Sequence, residues 1–540
     1  MGHRGFVLFG GRGFFGFLGS IFARLLRAVA ARLERVPRLA VAPSQDVLGD
    51  FDILGTPLVT LSQHDFLTVG DLCTGVAIFG ATGSGKTSGS GEALALPMLA
   101  AGFGGLVLSA KTDERELWES YARKAGRLGD LVFFSPLEPW RFNFLDYEWT
   151  RPGAGARQVE NIVRLFTLGM ETMGAGEQKA SGNNAYWQRA MQQLLRNAVA
   201  LAGMATEHVR LEDIHRIIQT APRSQAQVDD EQWNLRSYCF ELLAQTRANA
   251  DTPALFKDYE KILDYWYGEW PHVPPETRGN ILSTFTSAVD AFGFSPFREL
   301  FCTETNITPE QAERGKIIFL DLNVKEYGKT GQFVQVLFKT CFQHAMERRK
   351  VGKSTVPVFL WGDEAPYFVN SEDESVLRTA RSKRLITVYL LQNLTTLYEA
   401  LGGHQGREKA HSILTNLSTQ FFHANRDPET NKYAAETIGQ AFRWLAGFSS
   451  GENSGGSEGS NVSFDGQGGG GSGFNSGVNT GRNSGRNMQQ QLHYEVQPQE
   501  FTTLRPGGFD NGLLVDAILT RTGHVWSTGK NYLRVTFQQG

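Results

Sequence analysis

The chain has 540 residues, a length that corresponds to about three to four folded units. Hydrophobic residues at 41% and charged residues at 20% lie near globular averages, which excludes a largely disordered chain and a polytopic membrane protein. The formal net charge of −3 provides no global basic field, so contact with nucleic acid requires local patches or a pore built by several subunits.

Residues 1–43 form a basic and apolar N-terminal segment. Its apolar run, 14–23, has about half of the roughly 20 residues that cross a bilayer. Four arginines fall on one helical face, opposite large apolar residues: Arg24, Arg27, Arg32 and Arg35. The pattern predicts a helix on a membrane surface or in a partner's groove. A packed N-terminal helix and a membrane span are the alternatives.

Between 44 and 154, and again between 311 and 446, short apolar runs alternate with helical periodicity. A strand buried on both faces of a sheet gives such a continuous apolar run. The predicted strands are 76–79, 106–109, 131–134, 317–322, 358–361, 385–391 and 421–424. Because helices connect them, they predict an α/β fold with a mostly parallel sheet. Residues 155–310 lack the strand pattern and predict an inserted all-α domain.

Glycine, serine and asparagine dominate residues 447–490. Such a composition buries too little apolar surface to fold, so the sequence predicts a disordered, flexible loop. Strands are predicted again at 513–520 and 532–537, within a C-terminal β segment of the nucleotide domain, 491–540. The loop is therefore predicted to be an internal insertion and not a tail.

Four cysteines are scattered along the chain, at Cys73, Cys239, Cys302 and Cys341. They form no CxxC pair and no metal-ligand spacing with a histidine, so neither a disulfide framework nor a zinc site is indicated. Reduced core cysteines are typical of an intracellular protein, and we expect this chain in the cytoplasm.

A glycine-rich motif directly follows the first predicted strand and matches GxxxxGK[ST] in full. Backbone N–H groups of such a loop point at phosphates, Lys86 supplies a point charge to the β and γ oxygens, and Thr87 ligates Mg²⁺. A chance glycine-rich turn is the alternative. The expected nucleotide-binding residues of the loop are Gly80, Ala81, Thr82, Gly83, Ser84, Gly85, Lys86, Thr87 and Ser88.

An adjacent acid pair, Asp363 and Glu364, follows the predicted strand 358–361. In this arrangement the aspartate holds Mg²⁺ through water and the glutamate polarises the attacking water. An acidic helix cap is the alternative. Gln392 ends the next predicted strand, and we expect it beside the γ-phosphate, where it senses hydrolysis. These residues predict an ATPase with Mg²⁺ as its metal.

Two other classes of P-loop protein lack support in the sequence. A GTPase requires an NKxD element, and the segment 431–434, Asn-Lys-Tyr-Ala, has no aspartate. An ABC ATPase requires an LSGGQ signature, which is absent. The motifs therefore favour an ATP-driven motor.

With these motifs the chain resembles the type IV secretion coupling proteins, the TraG/TraD-like ATPases of conjugative DNA transfer, from about residue 70 to 540. Individually weak segments support the resemblance in combination: 106–114, 143–146, 186–187, 378–384, 390–393 and 425–430. The resemblance implies a RecA-like nucleotide domain, an all-α domain and a hexameric ring. Through the ring would pass single-stranded DNA or protein.

The resemblance also implies partners and two further site residues. The partners would be single- or double-stranded DNA, a relaxase or effector protein, and components of the secretion channel at the inner face of the bacterial membrane. Arg381 would be presented to the γ-phosphate of the neighbouring subunit, and Arg426 would be a second basic residue of the nucleotide pocket. A solvated helix charge is the alternative for Arg381.

The chain departs from the family pattern at two places. Many members begin with two membrane-spanning helices, whereas this chain offers only the short N-terminal segment. The loop 109–114 lacks the usual aspartate-proline-lysine-glycine pattern, although Lys111 and Glu114 keep their positions. Alternative functions are an intracellular DNA-pumping or DNA-processing motor, a pilus-assembly ATPase and a non-catalytic adaptor.

Overall fold

A computed structural model describes residues 52–172, 182–402, 405–453 and 481–539. The predicted N-terminal helix, within 1–43, lies outside the described residues. Within the described ranges, no helix is both long and apolar enough to cross a membrane.

The strands of the described residues include the seven predicted between 76 and 424, to within a few residues. They are β1 (Pro57–Thr60), β2 (Phe66–Thr68), β3 (Val76–Phe79), β4 (Gly104–Leu108), β5 (Leu131–Phe134), β6 (Ile317–Leu320), β7 (Val358–Gly362), β8 (Leu385–Leu391), β9 (Thr419–Phe422), β10 (Gln440–Asn453), β11 (Gly481–Tyr494), β12 (Leu514–Arg521) and β13 (Tyr532–Gln538).

The helices of the described residues connect these strands. They are α1 (Val69–Leu72), α2 (Glu92–Ala100), α3 (Glu114–Lys124), α4 (Phe144–Thr150), α5 (Val159–Thr172), α6 (Gly182–Thr206), α7 (Leu211–Thr220), α8 (Gln225–Val228), α9 (Glu231–Asn234), α10 (Tyr238–Asn249), α11 (Pro253–Leu263), α12 (Pro275–Val289), α13 (Phe297–Phe301), α14 (Val324–Arg348), α15 (Asp373–Ala380), α16 (Leu394–Ala400), α17 (Gly406–Thr415) and α18 (Pro428–Ile438).

A nine-stranded sheet forms the centre of the molecule, in the order β13-β12-β9-β3-β8-β7-β4-β6-β5. The strands from β9 to β5 in this order pair in parallel. At the other end of the order, β12 pairs antiparallel with β9, and β13 pairs antiparallel with β12. All parallel strands therefore end at the same edge, called the carboxyl edge below.

Apolar layers cover both faces of the sheet, because successive side chains of a strand point to opposite faces. In β3, Val76 and Ile78 belong to one buried cluster, whereas Ala77 and Phe79 belong to the other. Helices α2 and α3 lie on the first face, and α14 lies on the second. Burial on both faces explains why the parallel strands are continuous apolar runs.

The segment between β5 and β6 contains no strand among its described residues. Its helix α6 buries an apolar stripe that includes Met191, Leu194 and Ala198. This stripe shares one hydrophobic cluster with Phe338 of α14 and with Phe134 of β5. The helical insertion thus packs on one face of the sheet, in accordance with the predicted fold class.

The structure corrects the prediction of a flexible loop over 447–490. Strands β10 and β11 pair antiparallel from Gln440 opposite Tyr494 to Asn453 opposite Gly481. The loop prediction is therefore wrong for 447–453 and 481–490. Backbone N–H and C=O groups make this ladder, and their pairing does not depend on the apolar content on which the prediction rested. Residues 454–480 lie outside the described residues.

Candidate nucleotide site

The glycine-rich loop leaves β3 at the carboxyl edge of the sheet. Its first two residues are tied to both neighbouring strands: Gly80 N donates to Leu391 O at 3.1 Å, and Ala81 N donates to Ala424 O at 3.0 Å. After the loop, the chain turns into a helical turn at Thr87–Gly91 that continues as α2. The loop is thus held between β8 and β9 and opens into a helix, as a phosphate-binding loop requires.

Two glycines leave no space for a side chain. A Cβ atom at Gly80 would lie 2.3 Å from Ser84 Oγ. Gly85 has φ +79°, and a Cβ there would lie 2.6 Å from a methyl carbon of Val515. Ser84 Oγ is buried and has no hydrogen-bond partner among the described residues. The backbone of the loop therefore forms a tight cradle whose shape and polar lining fit a phosphate chain.

The residues predicted to serve Mg²⁺ lie side by side. Thr87 Oγ1 donates a hydrogen bond to Asp363 Oδ2 at 3.3 Å, although 276 residues separate them in sequence. Asp363 follows β7 and is only 5% exposed. Burial raises its pKa, against the attraction of Lys86 and Lys111. A hydroxyl and a carboxylate are hard oxygen ligands that fit Mg²⁺ when nucleotide phosphates and water complete the coordination.

Three polar side chains surround the carboxylate of Glu364. Its Oε1 accepts hydrogen bonds from Lys111 Nζ at 2.8 Å and from Gln392 Nε2 at 2.8 Å. Lys86 Nζ lies 3.9 Å from the same oxygen. Burial acts to raise the pKa of Glu364, but the hydrogen bond from Lys111 and the charge of Lys86 outweigh it and hold that pKa below its usual value. Glu364 is therefore an anion at neutral pH.

Backbone geometry fixes where Glu364 points. Its φ is +53° and its ψ +51°, in the left-handed region, and its backbone N–H donates to Asp363 Oδ1 at 2.9 Å. A non-glycine residue in this region is uncommon and concentrates at functional sites. The turn after β7 thus sends Asp363 toward Thr87 and Glu364 toward Lys111 and Gln392.

The sequence motifs assigned no role to two residues of the site, Lys111 and Glu114. Both follow β4, and Glu114 opens helix α3. Glu114 is buried, and its Oε2 accepts from Ala110 N at 3.1 Å. Burial and the nearby charge of Asp363 raise the pKa of Glu114 well above its usual value. In the sequence, Lys111 and Glu114 could have been found from their position after a buried strand, at the same edge of the sheet as the two phosphate motifs.

A buried histidine contacts the helical turn that follows the glycine-rich loop. Ser90 Oγ lies 2.7 Å from His423 Nε2, and His423 Nδ1 lies 3.1 Å from Asp516 O. Because a carbonyl oxygen only accepts, Nδ1 carries the proton and Nε2 accepts from Ser90. Burial lowers the pKa of His423 to about 3. A neutral imidazole thus connects the helix after the loop with β12.

The two predicted arginines occupy different edges of the sheet. Arg426 is exposed and lies two residues after Ala424, whose carbonyl binds Ala81, so it is at the carboxyl edge near the loop. Arg381 is also exposed, but it lies between α15 and the start of β8. Its charge acts on Cys73, which precedes β3 at the amino edge. The structure therefore does not bring Arg381 to the site of its own chain.

The predicted site residues otherwise converge at one edge. The loop supplies Lys86, Thr87 and Ser88, the last of which accepts from Gln539 Nε2 at 2.6 Å. The ends of β7 and β8 supply the acid pair and Gln392. Within the described residues, no group of three or more histidine, cysteine or acidic side chains is arranged to hold a metal by itself.

Comparison with known proteins gives a family and a fold. The family model described as type IV secretory system conjugative DNA transfer matches residues 54–467. No curated protein matches the chain in sequence. Among solved structures, the bacterial conjugative coupling protein TrwB in an unbound form matches with 14% identity and a TM-score of 0.54, over 90% of this chain and 89% of that chain.

Two nucleotide complexes of the plasmid coupling protein TrwB also match. The complex with ADP and Mg²⁺ has 14% identity and a TM-score of 0.53, over 90% of each chain. The complex with a non-hydrolysable ATP analogue has 14% identity and a TM-score of 0.52, over 90% of each chain. At these identities the matches establish the fold, and they confirm the predicted RecA-like P-loop domain with a helical insertion. Because the family model covers more than half of the sequence, the chain belongs to the type IV secretory system family of conjugative DNA transfer.

Proposed function

We propose that this chain is an ATP-hydrolysing subunit of a hexameric motor that drives DNA, with its bound relaxase, or an effector protein into a type IV secretion channel. The observation that carries the proposal is the convergence of Lys86, Thr87, Asp363 and Glu364 at one sheet edge in a member of the conjugative DNA transfer family. TrwB, which shares the fold, has been crystallised with ADP and Mg²⁺. Its complex supports ATP and Mg²⁺ as the ligands here.

Each residue has a role that its contacts support. Lys86 places its charge on the β and γ oxygens, and Thr87 and Asp363 hold Mg²⁺, which when bound offsets the negative charge of the phosphates. Glu364, an anion held by two donors, orients and polarises water for attack on the γ-phosphorus. Gln392 touches Glu364 directly at 2.8 Å. It is therefore placed to relay the state of the γ-phosphate along β8.

Arg381 completes the site of a neighbouring subunit in this proposal. Its exposed side chain at the amino edge makes no hydrogen bond or ion pair with other described residues. An arginine supplied in trans stabilises the charge of the transition state by about 10³ to 10⁵ in rate. Arg426, at the carboxyl edge, is proposed as a basic residue of the pocket in its own chain.

Residues 1–43 are proposed to bind an anionic membrane surface peripherally, or a partner, at the cytoplasmic side of the bacterial membrane. Their one-sided arginines support this proposal. Electrostatic attachment weakens as salt screens it. We expect the protein to leave membranes in a high-salt wash, and retention after high-salt and alkaline washes would contradict the proposal.

The proposed function is tested by phosphate release from ATP with and without single-stranded DNA. We expect DNA to stimulate turnover, and Lys86→Ala to abolish turnover in both conditions while the far-UV circular dichroism stays unchanged. Lys350→Ala is the matched control, because Lys350 is exposed at the opposite edge of the sheet. Absence of hydrolysis by the unaltered chain over a range of protein and DNA concentrations would contradict the proposal.

A further inference from the structure

A cavity of about 680 Å³ extends from the candidate site along the carboxyl edge of the sheet. Its walls come from the segments that follow four neighbouring strands, β8, β7, β4 and β6. Glu364 and Gln392 line it, and so do residues of the first turns of α14. None of the glycine-rich loop residues lines it. The cavity therefore shares Glu364, Gln392 and Lys111 with the candidate site and none of the residues of the glycine-rich loop.

Positive charge dominates this cavity, which we call the lysine cavity. Two carboxylates line it, those of Glu364 and Glu399, against four lysines. Neither Lys325 nor Lys409 has a carboxylate partner among the described residues. The lysines are Lys111, Lys325, Lys329 and Lys409. A concave surface with an excess of one sign of charge concentrates ligands of the opposite sign.

A buried amide group beside the cavity has a donor without an acceptor in the described part of the chain. Asn370 lines the cavity and is only 8% exposed. Its Oδ1 accepts from Glu372 N at 2.9 Å, but its Nδ2 has no partner among the described residues. A buried polar group without a partner costs about 1–3 kcal/mol. The lysine ammonium groups provide only donors, which suits an anion rich in acceptor oxygens.

We propose that the lysine cavity binds phosphates of the DNA backbone, and that a phosphate bound there competes with Glu364 for Lys111. This inference rests on the proposed function, because it takes DNA as the moving substrate. The family of conjugative DNA transfer favours DNA over an acidic protein as the polyanion. Carboxyl edges of open parallel sheets are the usual binding crevices of such folds.

Lys111 gives this binding a consequence for hydrolysis. Its ammonium lies 2.8 Å from Glu364 Oε1, the same oxygen that accepts from Gln392. That oxygen is occupied by two donors and is less available to polarise water. A phosphate in the cavity attracts Lys111 away, so Glu364 becomes available when DNA is present. The lysine cavity thereby couples the occupancy of the DNA path to the chemical step.

The first test is DNA binding by the full-length protein, measured by fluorescence anisotropy. The probe is a labelled oligothymidylate of about 20 nucleotides, which exceeds the length of single-stranded DNA that one binding domain usually covers. Single-stranded DNA contributes a slope of about −0.7 per neutralised phosphate to the plot of log affinity against log salt. We expect Lys325→Ala/Lys409→Ala to bind more weakly and to lose about 1.4 of that slope. Lys350→Ala should retain both the affinity and the slope. Lys350 lies just beyond the C-terminal end of α14, whereas Lys325 lies in the first turn of that helix.

Three outcomes of this test separate the inference from the proposed function. Equal affinity and slope for the double variant and the unaltered chain would overturn the lysine cavity and leave the motor function intact. No DNA binding by the unaltered chain would instead overturn DNA as the moving substrate of the proposed function, on which this inference rests. Lysine-dependent binding of inorganic phosphate by calorimetry, or of a labelled polyglutamate peptide, without such binding of the oligonucleotide would overturn the assignment to the DNA backbone.

The second test addresses the competition for Lys111. We expect Lys111→Met to bring the ratio of turnover with DNA to turnover without DNA close to one, because Glu364 has lost its restraint. Lys111→Arg keeps the charge and should keep a ratio above one. An unchanged ratio in Lys111→Met, with Asp363 and Thr87 intact and nucleotide still bound, would overturn the competition.

Discussion

At the scale of single residues, the proposed function assigns the chemical step to Glu364 and nucleotide binding to its neighbours. Glu364→Gln keeps the shape of the side chain and leaves Thr87 and Asp363 in place. We expect nucleotide binding to persist and turnover to fall by about 10² to 10⁴, the usual contribution of a general base. A fluorescent ATP analogue measures binding, and phosphate release measures turnover. Loss of analogue binding would show that Glu364 holds the nucleotide instead.

His423 makes the stability of the nucleotide domain depend on pH. Its folded-state pKa, about 3, lies below the unfolded value of about 6.5. The unfolded chain therefore binds an additional proton as the pH falls below 6.5, and stability falls with it. For this residue the loss between pH 7.5 and pH 5 is about 2 kcal/mol, at about 1.36 kcal/mol per pKa unit.

Substitution isolates the contribution of this imidazole. We expect His423→Gln to be less stable than the unaltered protein at pH 7.5 but to lose less stability on acidification, as measured by urea unfolding at several pH values. His64→Gln, at an exposed histidine, is the control. Parallel pH dependences for His423→Gln and the unaltered chain would refute the assignment.

At the scale of elements, a buried ion pair connects α14 with α15. Lys339 Nζ lies 2.6 Å from Asp373 Oδ2, and both side chains are fully buried. Asp373 also accepts from Gln343 Nε2 at 2.7 Å and from Tyr389 Oη at 2.8 Å. The pair thus ties both helices to β8, the strand that ends at Gln392. Burial lowers the pKa of Lys339, against the attraction of Asp373.

Removal of one partner of this ion pair should destabilise the protein more than removal of both. We expect Lys339→Met to lower the free energy of unfolding by about 3–5 kcal/mol, because it leaves Asp373 buried without its counter-ion. Lys339→Met/Asp373→Asn removes the stranded charge and should recover part of this loss. Lys350→Met, just beyond the same helix, should change stability little. Urea unfolding compares the variants, and equal losses for the single and double variants would contradict the argument.

The sequence predicted the strands that are buried on both faces, because this burial determines their amino-acid composition. Parallel strands such as β3 and β7 were apolar runs because both faces of the sheet are covered, and the phosphate motifs stood at their ends. Strand order was not visible in the sequence. The contact of Lys111 with Glu364 depends on the adjacency of β4 and β7, which nothing local in either segment specifies. Backbone pairing at 440–453 was missed because its ladder leaves no mark in composition.

At the scale of the whole molecule, the proposed trans role of Arg381 makes activity a property of assembled subunits. Lone chains should be nearly inactive, and specific activity should rise with protein concentration. Chains with Arg381→Ala and chains with Glu364→Gln are each expected to be inactive alone. A mixed ring contains interfaces at which an intact Glu364 faces an intact Arg381, so mixing should restore part of the phosphate release.

Co-assembly is the control for this mixing experiment. It is shown by co-purification of one variant through a tag on the other. No recovery in rings that demonstrably contain both variants would mean that Arg381 does not act across the interface. The helix-capping position of Arg381 at the amino edge would then be a solvated surface charge.

The separation of Arg381 from Lys86 across the sheet also bears on the symmetry of assembly. In a two-fold pair every contact between two residues is repeated in reverse, so two subunits would exchange Arg381 reciprocally and the assembly would stop at a dimer. In the proposed ring the contact is head-to-tail, with the amino edge of one subunit facing the carboxyl edge of the next, and such contact closes into a ring when the rotation permits. Each subunit then receives an arginine from one side and gives one to the other. The proposed ring therefore has a rotational sense, because the two neighbours of each subunit are distinguishable: one supplies the arginine and the other receives it.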